Sequence, residues 1–562
     1  MRGAAPGRVV VLGGAGAFGR RLVDGLLATA GFEVVVAGRS RARAEALAAE
    51  MARLHPGARL TTALLDRARP DPDALGALAP AILVDAAGPF QGGDLGLARA
   101  ALRAGLHYVD LADARDFVAG FPALDAEARG AGLVALTGAS STPALSHAAL
   151  DRITSGWRRV EAVEVAISPG NRAPRGLSVI EAIFSYAGRP VRVFEGGAWR
   201  TRPGWGGLVR RHLPGLGPRW LSVCETPDLD LVPARLHTSE RALFRAGLEV
   251  SALHLGLWLA SLPVRAGLVG SLRPLARPAR VLAELFAPFG TDRGGMLVEA
   301  WGLDAEGRRV RARWWLVAAA GDGPFVPTLP ALAALRAIAA GQVEPGARAC
   351  VGVLPLDAIE AEMRRHRLRT RLHLERPDDP LFARALGESF AHLAPPLRAV
   401  HRPGARLVLR GRAEVERGRG GLAGLVAALF RLPCAGTDVP IEVTLARRGA
   451  GEVWTRCFAG RRFRSHMSPA EEPGLLVERF GPFRILLAVP VRRGGLAMRV
   501  LGWRLGPVPL PRALRPRARA REWADERGRF RFDVALHLPV AGFLVRYRGW
   551  LVPDDEGPPP AG

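Results

Sequence analysis

Lysine is missing from this chain: all 78 basic residues are arginine. Asparagine occurs once, at Asn171, tyrosine three times and methionine six times. This scarcity, beside plentiful Ala, Arg, Gly and Pro, is the imprint of a GC-rich, bacterial genome. Part of the formal charge of +25 therefore reflects codon use rather than a partner. Cysteine is also scarce. Cys224, Cys350, Cys434 and Cys457 lie far apart and form no C-x-x-C pair, which argues against a disulfide framework or a zinc site. Long apolar runs are lacking too. The longest, Val250 to Val264, is broken by His254 and falls short of the roughly 20 residues a membrane span needs. With no signal peptide read ahead of the first apolar strand, a cytoplasmic protein without a transmembrane segment is expected. Several chemistries lack their motifs. There is no G-x-S-x-G elbow, H-E-x-x-H helix or P-loop, so hydrolase and phosphoryl-transfer functions find no support. Histidine pairs at metal-ligand spacing are absent; His366 and His373 are seven apart on a charged segment, and no metal site is expected.

What is present starts at Val9-Val10-Val11-Leu12, followed by Gly13-Gly14-Ala15-Gly16-Ala17-Phe18-Gly19. This reads as a buried strand, a glycine turn and the start of a helix. Gly14, Gly16 and Gly19 fit the G-x-G-x-x-G spacing of a dinucleotide-binding unit. The first glycine allows a tight turn, the second lets backbone approach a pyrophosphate, and the third lets the helix pack close to the strand. A second strand, 32–37, ends in Gly38-Arg39-Ser40. An NAD enzyme usually carries a carboxylate there for the ribose hydroxyl. Arg39, with Ser40 beside it, would instead pair with a 2′-phosphate, so NADP(H) is the expected cofactor. The alternative is a solvated surface arginine; the strand–turn–helix context favours the phosphate.

Residues 1–150 alternate strand and helix, with strands at 8–12, 32–37, 59–65, 81–87, 107–111 and 132–137. Such runs of Val, Ile and Leu are those of strands buried on both faces, and they predict a Rossmann, doubly wound parallel sheet of α/β class. Ligand should then sit at the strands' carboxyl ends. Three ends stand out. Asp66 is placed to accept from an adenine amino group or to cap a turn. Ala87-Gly88-Pro89-Phe90 would let a flat ring pass close to backbone. Tyr108, Asp110 and Asp113 are candidate proton donors or acceptors, or simply residues that pack and cap the strand end. Ser141 and Thr142 would contact nicotinamide or cap a helix.

Residues 151–363 predict an α+β substrate and dimerisation domain. Its elements are a strand at 159–167, Pro-, Gly- and Trp-rich loops, an apolar helical region at 246–288, two strands at 296–303 and 309–319, and a helix at 331–340 packing back on the first domain. Residues 364–379 have the composition of a linker. Residues 380–553 predict a mainly antiparallel β domain, a sheet or half-barrel, and 554–562 a disordered tail. Net charge climbs from +1 over 1–150 to +6 over 151–363 and +18 over 364–562. A peripheral contact with an anionic membrane would thus fall to the last domain. The arginine runs at 515–521 and 461–464 come without a nucleic-acid-binding motif, so no nucleic acid is expected.

The motifs together resemble the saccharopine dehydrogenase-like reductases, a group that includes trans-acting enoyl reductases. The resemblance covers residues 8 to about 360. It is carried by the glycine loop, Ala37-Gly38-Arg39, Ala87-Gly88-Pro89-Phe90, His107-Tyr108-Val109-Asp110-Leu111, Gly138-Ala139-Ser140-Ser141-Thr142-Pro143, Gly294-Gly295-Met296 and Gly323-Pro324 with Pro327. It implies an NADP-binding Rossmann domain, a substrate and dimerisation domain in a homodimer, and hydride transfer to a small or lipid-like substrate. Residues 380–552 resemble an uncharacterised domain often fused behind such reductases, through Trp454-Thr455-Arg456-Cys457-Phe458, Val477-Glu478-Arg479-Phe480-Gly481-Pro482 and Arg546-Tyr547-Arg548-Gly549-Trp550-Leu551. No activity follows from that second resemblance. A different class of function fits the same residues: a nucleotide-binding protein without catalysis, docking through its basic last domain.

Overall fold

A computed structural model describes residues 7–28, 31–174, 176–506 and 508–554. The tail expected at 554–562 therefore lies, past Asp554, outside the described residues. The chain divides into two compact units, one of Met1–Arg308 with Ala312–Leu372 and one of Arg309–Arg311 with His373–Gly562.

The first unit begins as the valine runs predict. Strands β1 (Arg8–Leu12), β2 (Glu33–Gly38), β3 (Leu60–Leu64), β4 (Ile82–Asp85), β5 (His107–Asp110) and β6 (Val134–Thr137) form one parallel sheet. Its order is β6-β5-β4-β1-β2-β3, so the winding reverses between β1 and β4. Val9, Val10 and Val11 are fully buried because helices cover both faces. A seventh strand, Gly346–Ala349, joins beside β6 in parallel. The sheet thus extends beyond the boundary expected at residue 150. The helix Leu329–Ala339 packs against the helix Gly19–Leu27, where a side chain at Gly25 would run into Leu332.

A second, mixed sheet of the same unit is built around β7 (Arg159–Ser168), which lies between Arg241–Ala246, parallel to it, and Gly294–Leu303, antiparallel. Where loops are expected at 190–223, the chain makes four strands: Pro190–Glu195, Ala198–Pro203, Val209–Leu213 and Gly217–Val223. The apolar region after residue 246 forms the helices Ser251–Ala260 and Ala276–Leu285. No helix among the described residues is long and apolar enough to cross a membrane. The linker expected at 364–379 is a strand over Leu368–Glu375 that extends this sheet. Its Arg369 and Arg371 sit on alternate, exposed positions, while Glu375 is buried.

The second unit is an antiparallel barrel rather than a half-barrel. Ten strands in sequence order form a ring, from Arg406–Arg417 through Gly436–Arg448 and onward to Gly542–Pro553. Arg406–Arg417 pairs with Gly542–Pro553, and Phe483–Ala488 pairs with Gly495–Leu505, which completes the closure. Two strands escape the sequence reading. Arg461–Pro469 and Arg517–Ala524 are both read there as arginine runs. In Arg517–Ala524 the arginines point out and Ala518 and Ala520 point in, the two-residue period of a strand written in an unusual alphabet.

Candidate functional site

The turn after β1 has the geometry its glycines allow. Gly13 adopts φ +78°, and a side chain there would meet the backbone of Ala87 at 2.8 Å. A Cβ at Gly19 would stand 2.1 Å from the Gly13 carbonyl oxygen, so no other residue lets the helix start so close to the strand. Gly14 is held against Val36, and Gly16 donates to the Gly13 carbonyl at 2.8 Å. The helix Gly19–Leu27 starts at Phe18 with no side-chain cap. The Arg20 and Arg21 N–H groups already donate to the Gly16 and Phe18 carbonyls at 3.0 Å, so an anion at this helix start would be met by the glycine loop ahead of it. Arg39, just after β2, is exposed and pairs with no carboxylate among the described residues. Ser40 instead caps the next helix, accepting from the Arg43 N–H at 3.4 Å. These features fit a dinucleotide with a phosphorylated ribose: glycine cradle, uncapped helix and free guanidinium.

The carboxyl ends of β4, β5 and β6 are tied together by two buried carboxylates. Asp85 accepts from the Ala87 N–H at 2.9 Å and from Arg67 Nε at 2.7 Å, and Arg67 lies over the Phe90 ring. Ala87-Gly88-Pro89-Phe90 thus turns back with Phe90 buried and the Gly88–Pro89 peptide cis. Asp110 Oδ1 accepts from Ala112 N, Thr137 Oγ1 and Gly138 N at 2.8–2.9 Å. Burial raises the Asp110 pKa to about 7, against the pull of those hydrogen bonds. Asp110 is thereby a bracket between two strand ends. Tyr108 is fully buried and stacked on Phe121, which is a place in the core and not one facing a ligand. Asp113 is exposed and takes a hydrogen bond from Gln91 Nε2 at 3.1 Å. Asp66 accepts from Ala68 N at 3.0 Å, the turn-capping geometry.

Two groups near these strand ends are assembled only by the fold, although the sequence singles out Phe18, Ser141 and Thr142 among their members. One is a cluster of unpartnered polar atoms after β6. Thr142 Oγ1 and both carboxyl oxygens of Asp228 are buried without hydrogen-bond partners, and His147 Nε2 lies 3.8 Å from Asp228 Oδ1. Burial lifts the Asp228 pKa to about 7 and depresses that of His147 to about 3, so His147 is neutral and offers Asp228 no counter-charge. Unsatisfied buried groups cost about 1–3 kcal/mol each, which marks a site kept for something other than stability. Thr142 and His147 lie five residues apart after β6, whereas Asp228 comes from much later in the chain, so no local motif joins all three.

The other is a cavity of about 810 Å³, within the range of small-molecule sites. Phe18 of the glycine loop and Ser141 after β6 both line it. From there its walls are apolar, with Ile183, Leu257, Leu282 and Phe286 among them. Leu275 and Leu282 line the cavity and are also exposed, so it reaches the surface between the two helices of the apolar region. Asp113 does not line it.

Residues 9–136 match the family model of the saccharopine dehydrogenase NADP binding domain, and residues 393–551 match a domain of unknown function (DUF4166). No curated protein matches the chain. Among solved structures it is similar to apo histidine-tagged saccharopine dehydrogenase (L-Glu forming) from Saccharomyces cerevisiae. The two are 15% identical, the match covers 65% of this chain and 99% of that one, and the TM-score is 0.47. It is also similar to a probable dehydrogenase from Thermotoga maritima, at 11% identity, 63% and 93% coverage and a TM-score of 0.33. A third is GenD2 from gentamicin A biosynthesis in complex with NAD, at 17% identity, 56% and 74% coverage and a TM-score of 0.28. The chain thus carries, over residues 9–136, the NADP-binding domain of the saccharopine dehydrogenase family, the mark of an oxidoreductase, followed over 393–551 by the domain of unknown function.

Proposed function

We propose that this protein is an NADP(H)-dependent reductase of an apolar, lipid-like substrate bearing a C=O, C=N or activated C=C bond. The observation that carries the reading is the cavity of about 810 Å³ that starts at Phe18 and Ser141 and continues between apolar helices. NADPH, when bound, supplies a hydride. The chain's own residues do the rest. The glycine loop and helix Gly19–Leu27 hold the pyrophosphate, and Arg39 pairs with the 2′-phosphate. Asp85 and Asp110 fix the strand ends that support the ring. Ser141, a hydroxyl on a wall whose other polar side chain is Asp292, orients the substrate's polar end. The apolar helices hold its chain and exclude water.

The lipid contact in this proposal falls on the first unit rather than on the basic last domain. Leu259, Leu268, Leu275, Leu285 and Phe289 are exposed beside the arginines Arg273 and Arg277, where the cavity opens. This is the arrangement of a surface that lies on anionic lipid. Salt-sensitive flotation with phosphatidylglycerol vesicles, lost in a Leu268→Glu/Leu285→Glu variant, is the expected result. A protein of doubled mass that ignores vesicles would instead assign this face to the homodimer.

The test of the reaction follows NADPH oxidation with 2-hexadecenoyl and 2-butenoyl thioesters and with the matching aldehydes. Turnover of the long chains, at least tenfold above the short, is expected. Gly256 lines the cavity and a Cβ added there meets nothing within 4 Å, so Gly256→Phe is chosen to narrow the cavity. It should lose long-chain turnover and keep NADPH affinity. Equal turnover of short and long chains, or an unaffected Gly256→Phe, would overturn the apolar assignment.

A further inference from the structure

The second unit has a cavity of its own. An eight-stranded barrel is just wide enough for its interior to be filled by side chains or to hold one small ligand, and diameter grows with strand number. Ten strands therefore leave more interior than side chains readily fill. A cavity of about 230 Å³ lies inside, lined by Leu487, Val500, Phe532, Val534, Leu544 and other apolar side chains. Small residues widen it: Ala518 and Ala520 face inward from the strand whose arginines face out. A dry cavity of about 150 Å³ admits benzene, so this one suits about nine carbon atoms by proportion.

The charged groups that reach the interior are already matched. Arg456 donates to Ser465 Oγ at 2.9 Å, stands 3.6 Å from Glu478 and lies over the rings of Trp454 and Phe463. Glu522 is bound by the buried His401 at 2.7 Å. Arg456 is therefore not free for an incoming carboxylate, His537 lies at the exposed rim against Phe543, and an anion in the interior would meet Glu478 and Glu522. The interior favours an uncharged guest.

One end is covered by the helix Gly421–Leu429, the connection between the first two strands of the ring. Its Val426 and the following Phe430 line the cavity, while Leu422, Leu425 and Leu429 are exposed. The cover is apolar on both sides, as suits a guest that arrives from an apolar phase.

We infer that the barrel of the second unit binds an uncharged apolar molecule, a medium-length chain with a neutral polar end, inside the ring beneath the helix Gly421–Leu429. The inference is independent of the reaction proposed for the first unit. The test is calorimetric titration of the full chain with decan-1-ol and, separately, decanoate. Wild type should bind decanol, with decanoate at least tenfold weaker. Ala520→Trp fills the barrel cavity and should abolish the barrel's decanol binding while NADPH binding stays. Gly256→Phe, which narrows the first unit's cavity, should leave it. Should Ala520→Trp fail to fold by circular dichroism, Ala518→Phe on the same strand takes its place. In the Gly256→Phe background, where the first unit's cavity is narrowed, decanol binding that survives addition of the barrel substitution, or no decanol binding before it, overturns the site. Decanoate binding as tight as decanol overturns the neutral guest.

Discussion

The two units each enclose an apolar cavity, yet only one of them has an environment for chemistry. In the first unit the cavity touches a glycine turn, an uncapped helix start and a hydroxyl, and it lies within reach of strand ends that carry unsatisfied polar atoms. In the barrel the wall is apolar and its main charges are paired within the protein. The difference lies in topology. A parallel sheet whose winding reverses leaves loops and helix starts converging at one edge, where backbone donors accumulate. A closed antiparallel ring spends its backbone donors on neighbouring strands and presents side chains alone. An apolar cavity in the first setting is a place to react; in the second it is a place to hold.

The sharpest break of this comparison is Gly19→Val. Its Cβ would fall on the Gly13 carbonyl, so NADPH binding should weaken at least a hundredfold while decanol binding by the barrel stays unchanged; fluorescence and calorimetric titrations read the two. Loss of both would mean that the barrel is not independent. Next in size is Arg67→Ala, which leaves the fully buried Asp85 without its cation. A loss of about 3–5 kcal/mol is expected in urea unfolding followed through NADPH protection. Arg39→Asp should cost ten- to a hundredfold in NADPH affinity and little in NADH affinity, about 1.4–3 kcal/mol, by parallel titration.

A pH experiment follows. Asp110 titrates near 7 when folded and in the ordinary carboxylate range when unfolded. Between those values the folded state binds the extra proton, so the group's contribution to stability falls as pH rises from about 4 to 7. Asp110→Asn keeps an acceptor for Ala112, Thr137 and Gly138 and removes the titration. Its unfolding midpoint should therefore decline less than that of wild type between pH 5 and 7.5. The smallest effect is expected in the barrel. Arg456→Met with Glu478→Leu removes a matched interior pair, which is often neutral or slightly stabilising, and decanol affinity should hold within a few-fold.

The sequence is legible where one segment carries a whole function. The glycine loop, Arg39 and the six valine- and leucine-rich strands could be read because turn, donor and strand adjoin in the chain. The strand Gly346–Ala349 could not. Four residues of Gly, Ala and Arg have no β-branched signature, and only the open edge of β6 makes them a strand. The strand Arg517–Ala524 was hidden by its inward alanines, which look like spacers between charges until a cavity needs them small. Tyr108 and Asp110 were visible as ionisable residues at a strand end, but their burial depends on Phe121 and Gly138, which the chain brings in later. Of the cluster of Thr142, His147 and Asp228 only Thr142 is visible in the sequence, for the same reason: Asp228 arrives from much later in the chain.

The seventh strand of the parallel sheet sets a schedule for synthesis. β6 leaves the ribosome with one edge bare, and the segment that covers it follows about two hundred residues later. At roughly 5–20 residues per second that is about 10–40 s with an unpaired strand edge in a crowded cell. During that interval the nascent first unit presents a strand edge on which another chain could pair. A messenger that slows translation between codons 150 and 346 should yield less folded protein than one slowed by the same amount after codon 373.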